Sequence, residues 1–145
     1  MKKITIIGTG YVGLVSGAGL AEFGHRVSCI DIDKDKIKNL NNGQIPIHEP
    51  GLDNLVNNNV REGRLTFSSN IEKNIQEANI IFIAVGTPQD EKGITDLTAV
   101  KSVVKLIATN LNNYKVICTK STVPVGTGKW IASEIKSMAS SVNFD

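Results

Sequence analysis

The sequence predicts an α/β fold in which helices cover both faces of a parallel β-sheet. Short apolar segments of strand composition alternate with helical patterns along the whole chain, without an internal repeat. Right-handed crossovers between such strands make them parallel. The segment Asn79–Val85 is apolar on both faces, as a central parallel strand should be. Three strands before it and two or three from it onward fit the two halves of a doubly wound, Rossmann-type dinucleotide-binding domain.

The first strand leads into a glycine-rich turn that opens a helix. The turn Gly8–Gly13 has the pattern G-x-G-x-x-G. In this pattern Gly8 permits a sharp turn off the strand, Gly10 leaves room for phosphates beside the backbone, and Gly13 lets the helix pack closely. A pyrophosphate is stable at such a helix N-terminus because the N–H groups there are unpaired and carry partial positive charge.

The second strand pattern, Arg26–Ile32, contains an acidic residue near its end. This residue, Asp31, follows the glycines at roughly the 20-residue spacing of the carboxylate that binds an adenosine ribose. A carboxylate there accepts hydroxyl hydrogen bonds but repels the 2′-phosphate of NADP. A helix that merely needs close packing at Gly10 and Gly13 would explain the glycines without explaining Asp31. We therefore expect a binding site for NAD.

The first helix is expected to run from Tyr11 to Phe23 and to end at Gly24. Helical spacing assigns its buried face to Val12, Val15, Gly19 and Phe23. After a second helix capped by Asp33, two prolines exclude regular helix from the segment Gln44–Leu52. The remaining predicted elements are helices at Leu52–Val60, Asn70–Ala78, Leu97–Leu111 and Gly128–Ala139, strands at Leu65–Phe67 and Lys115–Thr119, and a candidate sixth strand from Val142.

Ligands of a doubly wound sheet bind beyond the carboxyl ends of the strands, where the strand order reverses. Four polar, glycine- or proline-marked segments are expected to meet at this edge. They are Gly8–Gly13, Asp31, Val85–Pro88 and Ser121–Val123. Their agreement supports the dinucleotide site independently of the glycine pattern.

Composition limits the other classes of function. The chain has 145 residues, of which 41% are hydrophobic and 21% charged, as expected for one globular domain. A net charge of +2 with dispersed lysines favours neither a nucleic-acid nor a membrane partner. Glycines interrupt the apolar segment after Met1–Ile4, so we interpret it as a cytoplasmic strand rather than a signal peptide. Cys29 and Cys118 lie in apolar strand patterns and are expected to be buried, inert thiols, with no metal site.

Several motifs together resemble the UDP-glucose/GDP-mannose dehydrogenase family along the whole chain. The matching segments, in family-like order and spacing, are Ile7–Gly17, Asp31–Asp33, Ile45–Leu52, Val85–Pro88 and Lys120–Thr127. The segments IPIHEPGL and KSTVPVGT are far more specific than the glycine pattern. Pro124 and Asp96–Val100 resemble the UDP-glucose branch more than the GDP-mannose branch.

The resemblance implies an enzyme that oxidises the C6 alcohol of a sugar nucleotide to a carboxylate in two NAD-dependent steps, through a cysteine thioester. It implies a role for Thr122 in positioning water near the reacting carbon, and for Lys36 beside the adenosine half of NAD. The alternatives are a strand-end cap for Thr122, a solvated lysine for Lys36, and simple packing of Tyr11 against a loop. The implied cofactor-binding residues are Gly8, Gly10, Tyr11, Val12, Gly13, Asp31, Lys36, Val85, Gly86, Thr87, Pro88, Ser121, Thr122 and Val123.

Family members are much longer and continue into catalytic glutamates, a central dimerising helix and a second domain that carries the catalytic cysteine and lysine. Residues 1–145 therefore resemble the NAD-binding domain alone, cut before the central helix and the substrate domain. We expect this chain to bind NAD without turning over UDP-glucose, and the full-length enzyme to be a cytoplasmic homodimer. The alternatives are a dehydrogenase acting on GDP-mannose or another substrate, and a non-catalytic NAD-sensing module.

Overall fold

The computed structural model describes all residues from Met1 to Asp145. Its core is one five-stranded, fully parallel sheet in the order β3-β2-β1-β4-β5. This confirms the doubly wound α/β fold. The strands are β1 (Lys3–Ile7), β2 (Arg26–Ile30), β3 (Leu65–Ser68), β4 (Ile80–Ile83) and β5 (Val116–Thr119). The helices are α1 (Tyr11–Glu22), α2 (Lys34–Asn41), α3 (Leu52–Arg61), α4 (Ile71–Glu77), α5 (Thr98–Asn110) and α6 (Thr127–Met138).

Two apolar cores lie on opposite faces of the sheet. Alternate residues of each strand point to opposite faces, so Ile6 and Ile7 of β1 belong to different cores. One core packs Ile7, Ile30, Ile81 and Ile83 against α4, α5 and α6. The other packs Ile4, Ile6, Val27 and Cys29 against α1, α2 and α3. The helices therefore divide between the two faces as the βαβ order predicts.

Helix α1 is oriented differently from the sequence prediction. Its buried residues are Gly13, Leu14, Gly17, Ala18 and Ala21. The predicted face was wrong, because Phe23 is 82% exposed and Val12 43% exposed. The physical reason is close approach: a Cβ added at Gly17 would overlap the Sγ of Cys29 on β2. Small residues bring this helix onto the sheet, so a search for large apolar residues selects the wrong face.

Most element boundaries agree with the sequence to within two residues. Helix α1 ends before Gly24, whose φ of +86° is readily adopted by glycine. Asp33 caps α2 as expected, because its side chain accepts hydrogen bonds from the N–H groups of Asp35 and Lys36. The candidate sixth strand is also present in outline. Phe144 forms a parallel bridge with Lys115, and the N–H of Ile117 donates to the carbonyl of Asp145 at 2.7 Å.

The two cysteines differ in burial. Cys29 is fully buried as predicted, and burial raises the pKa of its thiol to about 12. Cys118 is only half-buried, so the prediction of a buried thiol was wrong there. All of β5 is half-buried, because β5 is the edge strand of the sheet and only β4 pairs with it along its full length. Neither cysteine forms a disulfide.

Lys115 is a buried cation that the sequence pattern did not reveal. It lies directly before β5 and is 0% exposed. Its ammonium donates to the carbonyls of Gln76 and Ala78 at 3.0 and 2.8 Å, and to Oδ1 of Asn113 at 2.8 Å. All three protons of the ammonium are thus used, and they satisfy carbonyls at the C-terminal end of α4. Burial lowers the pKa of Lys115.

None of the helices combines the length and the apolar character that a membrane crossing requires.

Candidate functional site

The four predicted segments meet at the carboxyl edge of the sheet. Strand order reverses between β1 and β4, and the loops after these strands are neighbours there. Backbone hydrogen bonds continue the sheet into them: Gly8 N–H donates to the carbonyl of Ile30 at 2.8 Å, and Ala84 N–H to that of Ile7 at 2.8 Å. In the same way, Asp31 N–H donates to the carbonyl of Ser68 at 3.3 Å, and Lys120 N–H to that of Ile83 at 2.8 Å. The edge is therefore a rigid platform rather than a set of free loops.

The glycines of the first turn have the three different environments that the pattern requires. Gly8 has a φ of +106°, and a Cβ there would lie 2.5 Å from the carbonyl oxygen of Ala84. A Cβ at Gly13 would overlap the carbonyl oxygen of Gly8. Gly10, in contrast, has no atom within 4 Å of where its Cβ would be, so the space beside it is open to a ligand.

The first turn of α1 presents unpaired donors beside that open space. The first N–H to find a backbone acceptor in the helix is that of Leu14, which donates to the carbonyl of Gly10 at 2.9 Å. The N–H groups of Tyr11, Val12 and Gly13 therefore remain free. No acidic side chain lies in this turn. A pyrophosphate fits this cradle in charge, in donors and in space.

Asp31 lies directly beside the glycine turn and is heavily hydrogen-bonded. Its Oδ2 accepts from the N–H of Thr9 at 3.0 Å, from the Thr9 hydroxyl at 2.7 Å and from the Lys36 ammonium at 3.3 Å. Its Oδ1 accepts from the N–H of Asp33 at 3.1 Å. Partial burial pushes the pKa of Asp31 upward, but these hydrogen bonds and the charge of Lys36 outweigh it, and the pKa is lowered. The site thus holds a charged carboxylate.

A cleft of about 450 Å³ runs between the glycine turn, Asp31 and α5. Sequence reasoning placed six of its lining residues in the site: Gly8, Gly10, Asp31, Lys36, Val85 and Gly86. It missed the largely apolar wall formed by Ile32, Ile71, Ala99, Ser102, Val103 and Leu106. A signal existed in the spacing of the last four, which lie at i, i+3, i+4 and i+7 on one side of α5.

The loops after β4 and β5 are joined by two hydroxyl groups. The Ser121 hydroxyl donates to the carbonyl of Val85 at 2.7 Å, and the Thr87 hydroxyl donates to the carbonyl of Thr122 at 2.7 Å. The Thr122 hydroxyl makes no hydrogen bond within the chain and its residue is exposed. The strand-end cap considered for Thr122 is therefore not formed, and its hydroxyl is available to a ligand or to water.

Eight predicted residues do not line the cleft: Tyr11, Val12, Gly13, Thr87, Pro88, Ser121, Thr122 and Val123. Val123 is half-buried and packs against the core beneath α5 and α6. Pro88 is exposed, and its carbonyl accepts from the N–H of Asp96 at 2.8 Å. The hydroxyl of Tyr11 donates to Oε2 of Glu49 at 2.9 Å, and this bond raises the pKa of the phenol. Tyr11 therefore contacts the segment Gln44–Leu52, as the packing alternative anticipated.

Comparison with known proteins agrees with this geometry. Residues 2–145 match the model of the NAD binding domain of the UDP-glucose/GDP-mannose dehydrogenase family. The chain belongs to this family. NAD is the cofactor of the matched domain, which agrees with the charged carboxylate of Asp31 after β2 and with the free N–H groups and open space beside Gly10.

Its relatives include sugar-nucleotide dehydrogenases from bacteria and archaea. UDP-glucose 6-dehydrogenase TuaD of Bacillus subtilis is 57% identical over 136 residues, which are 94% of this chain and 30% of the relative. A UDP-glucose dehydrogenase structure from Pyrobaculum islandicum superposes with a TM-score of 0.93 at 32% identity, covering 99% of this chain and 34% of that one. A GDP-mannose dehydrogenase structure from Pseudomonas aeruginosa superposes with a TM-score of 0.91 at 30% identity, covering 99% of this chain and 35% of that one. The chain thus spans about a third of the length of these relatives.

Proposed function

We propose that this chain is the NAD-binding part of an enzyme that oxidises UDP-glucose to UDP-glucuronate. The proposal rests on the charged carboxylate of Asp31, held at the carboxyl edge one strand away from an open glycine turn. The N–H groups of Tyr11, Val12 and Gly13 would bind the pyrophosphate, and Asp31 would accept a ribose hydroxyl. A cofactor 2′-phosphate at this position would face a carboxylate, so NAD is preferred over NADP.

The nicotinamide end would lie near the loops that Thr87 and Ser121 hold together. When bound, NAD would supply the hydride acceptor for oxidation of the substrate alcohol. The residues of this chain would orient the nicotinamide ring and hold water in place, the latter through the free hydroxyl of Thr122. In the full-length enzyme, Thr122→Val is expected to lower kcat more than Thr122→Ser, because serine keeps the hydroxyl.

The thioester step needs a nucleophilic cysteine, which this chain does not supply. A thiolate is the reactive form, and the Cys29 thiol is fully buried with its pKa raised to about 12. Cys118 lies within β5 rather than at the carboxyl edge. We therefore expect no NADH formation from UDP-glucose by residues 1–145 alone. NADH formation by this chain would refute the proposal that the nucleophilic cysteine lies outside it.

Substrate choice depends on parts of the enzyme beyond the cofactor domain. The names of close relatives support UDP-glucose, and the GDP-mannose dehydrogenase neighbour supports GDP-mannose as the second candidate. Oxidation of either substrate would use NAD, so the proposed NAD cleft is compatible with both. Steady-state assays of the full-length protein with each sugar nucleotide distinguish them. Light scattering on that protein would test the proposed homodimer, and cell fractionation the proposed cytoplasmic location.

Calorimetric titration with NAD and with NADP tests the proposed cofactor site. Gly10→Val is expected to abolish NAD binding, because its side chain fills the open space beside the turn. Gly19→Val is the matched control, since Gly19 lies within α1, which Gly10 caps, and also has no atom within 4 Å of its Cβ position. Asp31→Ala should weaken NAD binding and reduce the preference over NADP. Tighter binding of NADP by the wild-type protein would remove Asp31 from its proposed role.

A further inference from the structure

Thr9 lies between the first two glycines of the turn, and its hydroxyl has one partner. The residue is 0% exposed. Its hydroxyl donates to Oδ2 of Asp31 at 2.7 Å, and its N–H donates to the same oxygen at 3.0 Å. The glycine pattern allows any residue here, so no feature of the motif explains a buried hydroxyl. A residue needed only to fill the space could be valine, which has the same shape without the polar group.

The two oxygens of Asp31 are used unequally. A carboxylate oxygen offers about two lone-pair directions. Oδ2 receives three donors, two from Thr9 and one from Lys36. Oδ1 receives one, from the N–H of Asp33. Oδ1 is therefore the oxygen with acceptor capacity left for a ligand hydroxyl, while the two bonds from Thr9 hold the other oxygen, Oδ2.

We propose that Thr9 is a positioning residue for the cofactor: it anchors Oδ2 of Asp31 so that Oδ1 alone accepts a hydroxyl of the adenosine ribose. This rests on the proposed NAD site. The same anchor keeps the negative charge at a fixed point in the cleft. Through Asp31, Thr9 thereby strengthens the preference for NAD over NADP.

The surroundings of Asp31 make the effect of Thr9 separable from other charges. Lys36 is the only other charged residue that lines the cleft. The carboxylate of Asp33 is nearby, but it is committed to the N–H groups of Asp35 and Lys36 at 3.0 Å each. The wall from α4 and α5 contributes only apolar groups and a serine. Loss of the Thr9 hydroxyl should therefore change Asp31 alone.

The test is a double-mutant cycle on NAD affinity, measured by calorimetry. Thr9→Val should weaken NAD binding about tenfold, because a charge-assisted hydrogen bond is lost. The same change should make the preference for NAD over NADP smaller. Thr9→Ser keeps the hydroxyl and should bind within about twofold of the wild-type protein. In an Asp31→Ala background, Thr9→Val should have no further effect, since Thr9 acts through Asp31. An equal tenfold loss in both backgrounds would overturn the proposal.

Carbon NMR titration of the Asp31 carboxyl gives a second readout without cofactor. The midpoint should rise in Thr9→Val, where hydroxyl donation is lost, and stay near the wild-type value in Thr9→Ser. An unchanged midpoint in Thr9→Val would overturn the positioning role even if affinity fell. The failures are distinct: a wild-type protein that binds no NAD refutes the proposed function, whereas NAD binding that Thr9→Val leaves unchanged refutes only the role of Thr9.

Discussion

Replacement of Lys115 by methionine should destabilise the protein, although it removes a buried charge. The substitution preserves the length of the side chain but deletes the ammonium that bonds Gln76, Ala78 and Asn113. Each buried acceptor left without a partner costs about 1–3 kcal/mol. Two carbonyls lose their donor, and relief from burying the ammonium offsets part of that loss. We expect a net loss of about 2–4 kcal/mol.

Urea unfolding at pH 7 measures this loss directly as a change in midpoint at constant slope. By thermal unfolding the same change corresponds to roughly 5–15 °C, given 2–4 °C per kcal/mol for a domain near this size. Lys101→Met is the control, because Lys101 is an exposed lysine on α5. A Lys115→Met protein as stable as the wild type would show that the desolvation of the ammonium, rather than its three hydrogen bonds, decides the energetics.

The pH dependence supplies an independent check on Lys115. Its folded-state pKa is lowered from 10.5, so between that lowered pKa and 10.5 the unfolded chain binds more protons. Stability contributed by this residue therefore rises with pH across the window. The difference between wild type and Lys115→Met should follow this rise, because other titrating groups cancel in the comparison. A difference that stays flat to pH 10.5 would contradict the lowered pKa.

Three further predictions concern α1 and the site. Gly17→Ala should lower the free energy of unfolding by about 1–3 kcal/mol, because the added methyl overlaps Cys29 Sγ. Combining Gly17→Ala with Cys29→Ala should cost less stability than the two single changes added together, and additive costs in urea unfolding would count against that contact. Asp31 has a lowered folded-state pKa, so its contribution to stability is present above pH 4 and is lost as pH falls through that pKa. An Asp31→Asn protein should lack this acid-dependent loss of stability in unfolding curves measured as a function of pH. The same pH dependence in both proteins would refute this contribution of Asp31. Tyr11→Phe should leave global stability unchanged but speed hydrogen exchange at the amide of Leu52, which donates to the carbonyl of Glu49; unchanged exchange would mean that the Tyr11 hydroxyl does not restrain the loop.

The segment Gln44–Leu52 makes contacts that its local sequence pattern does not predict. Two prolines exclude regular helix there, and in the structure residues 44–51 are not helical, because α3 begins only at Leu52. Its side chains Ile45 and Ile47 pack against the core beneath α1 to α3, and its Glu49 meets the hydroxyl of Tyr11. Tyr11 is 38 residues from Glu49 in the sequence. No local pattern could have identified these contacts.

What the sequence by itself determined was the fold class, the order of the strands and helices, and the edge of the sheet that carries the site. These follow from local properties: apolar periods, the backbone freedom of glycine, and the spacing between Gly8 and Asp31. Only the tertiary structure decided which face of α1 is buried, that Lys115 is inside, and that Thr9 holds Asp31. These depend on which atoms meet across the sheet. A small residue, a buried cation or a hydroxyl acquires its meaning only from the partner that folding brings to it.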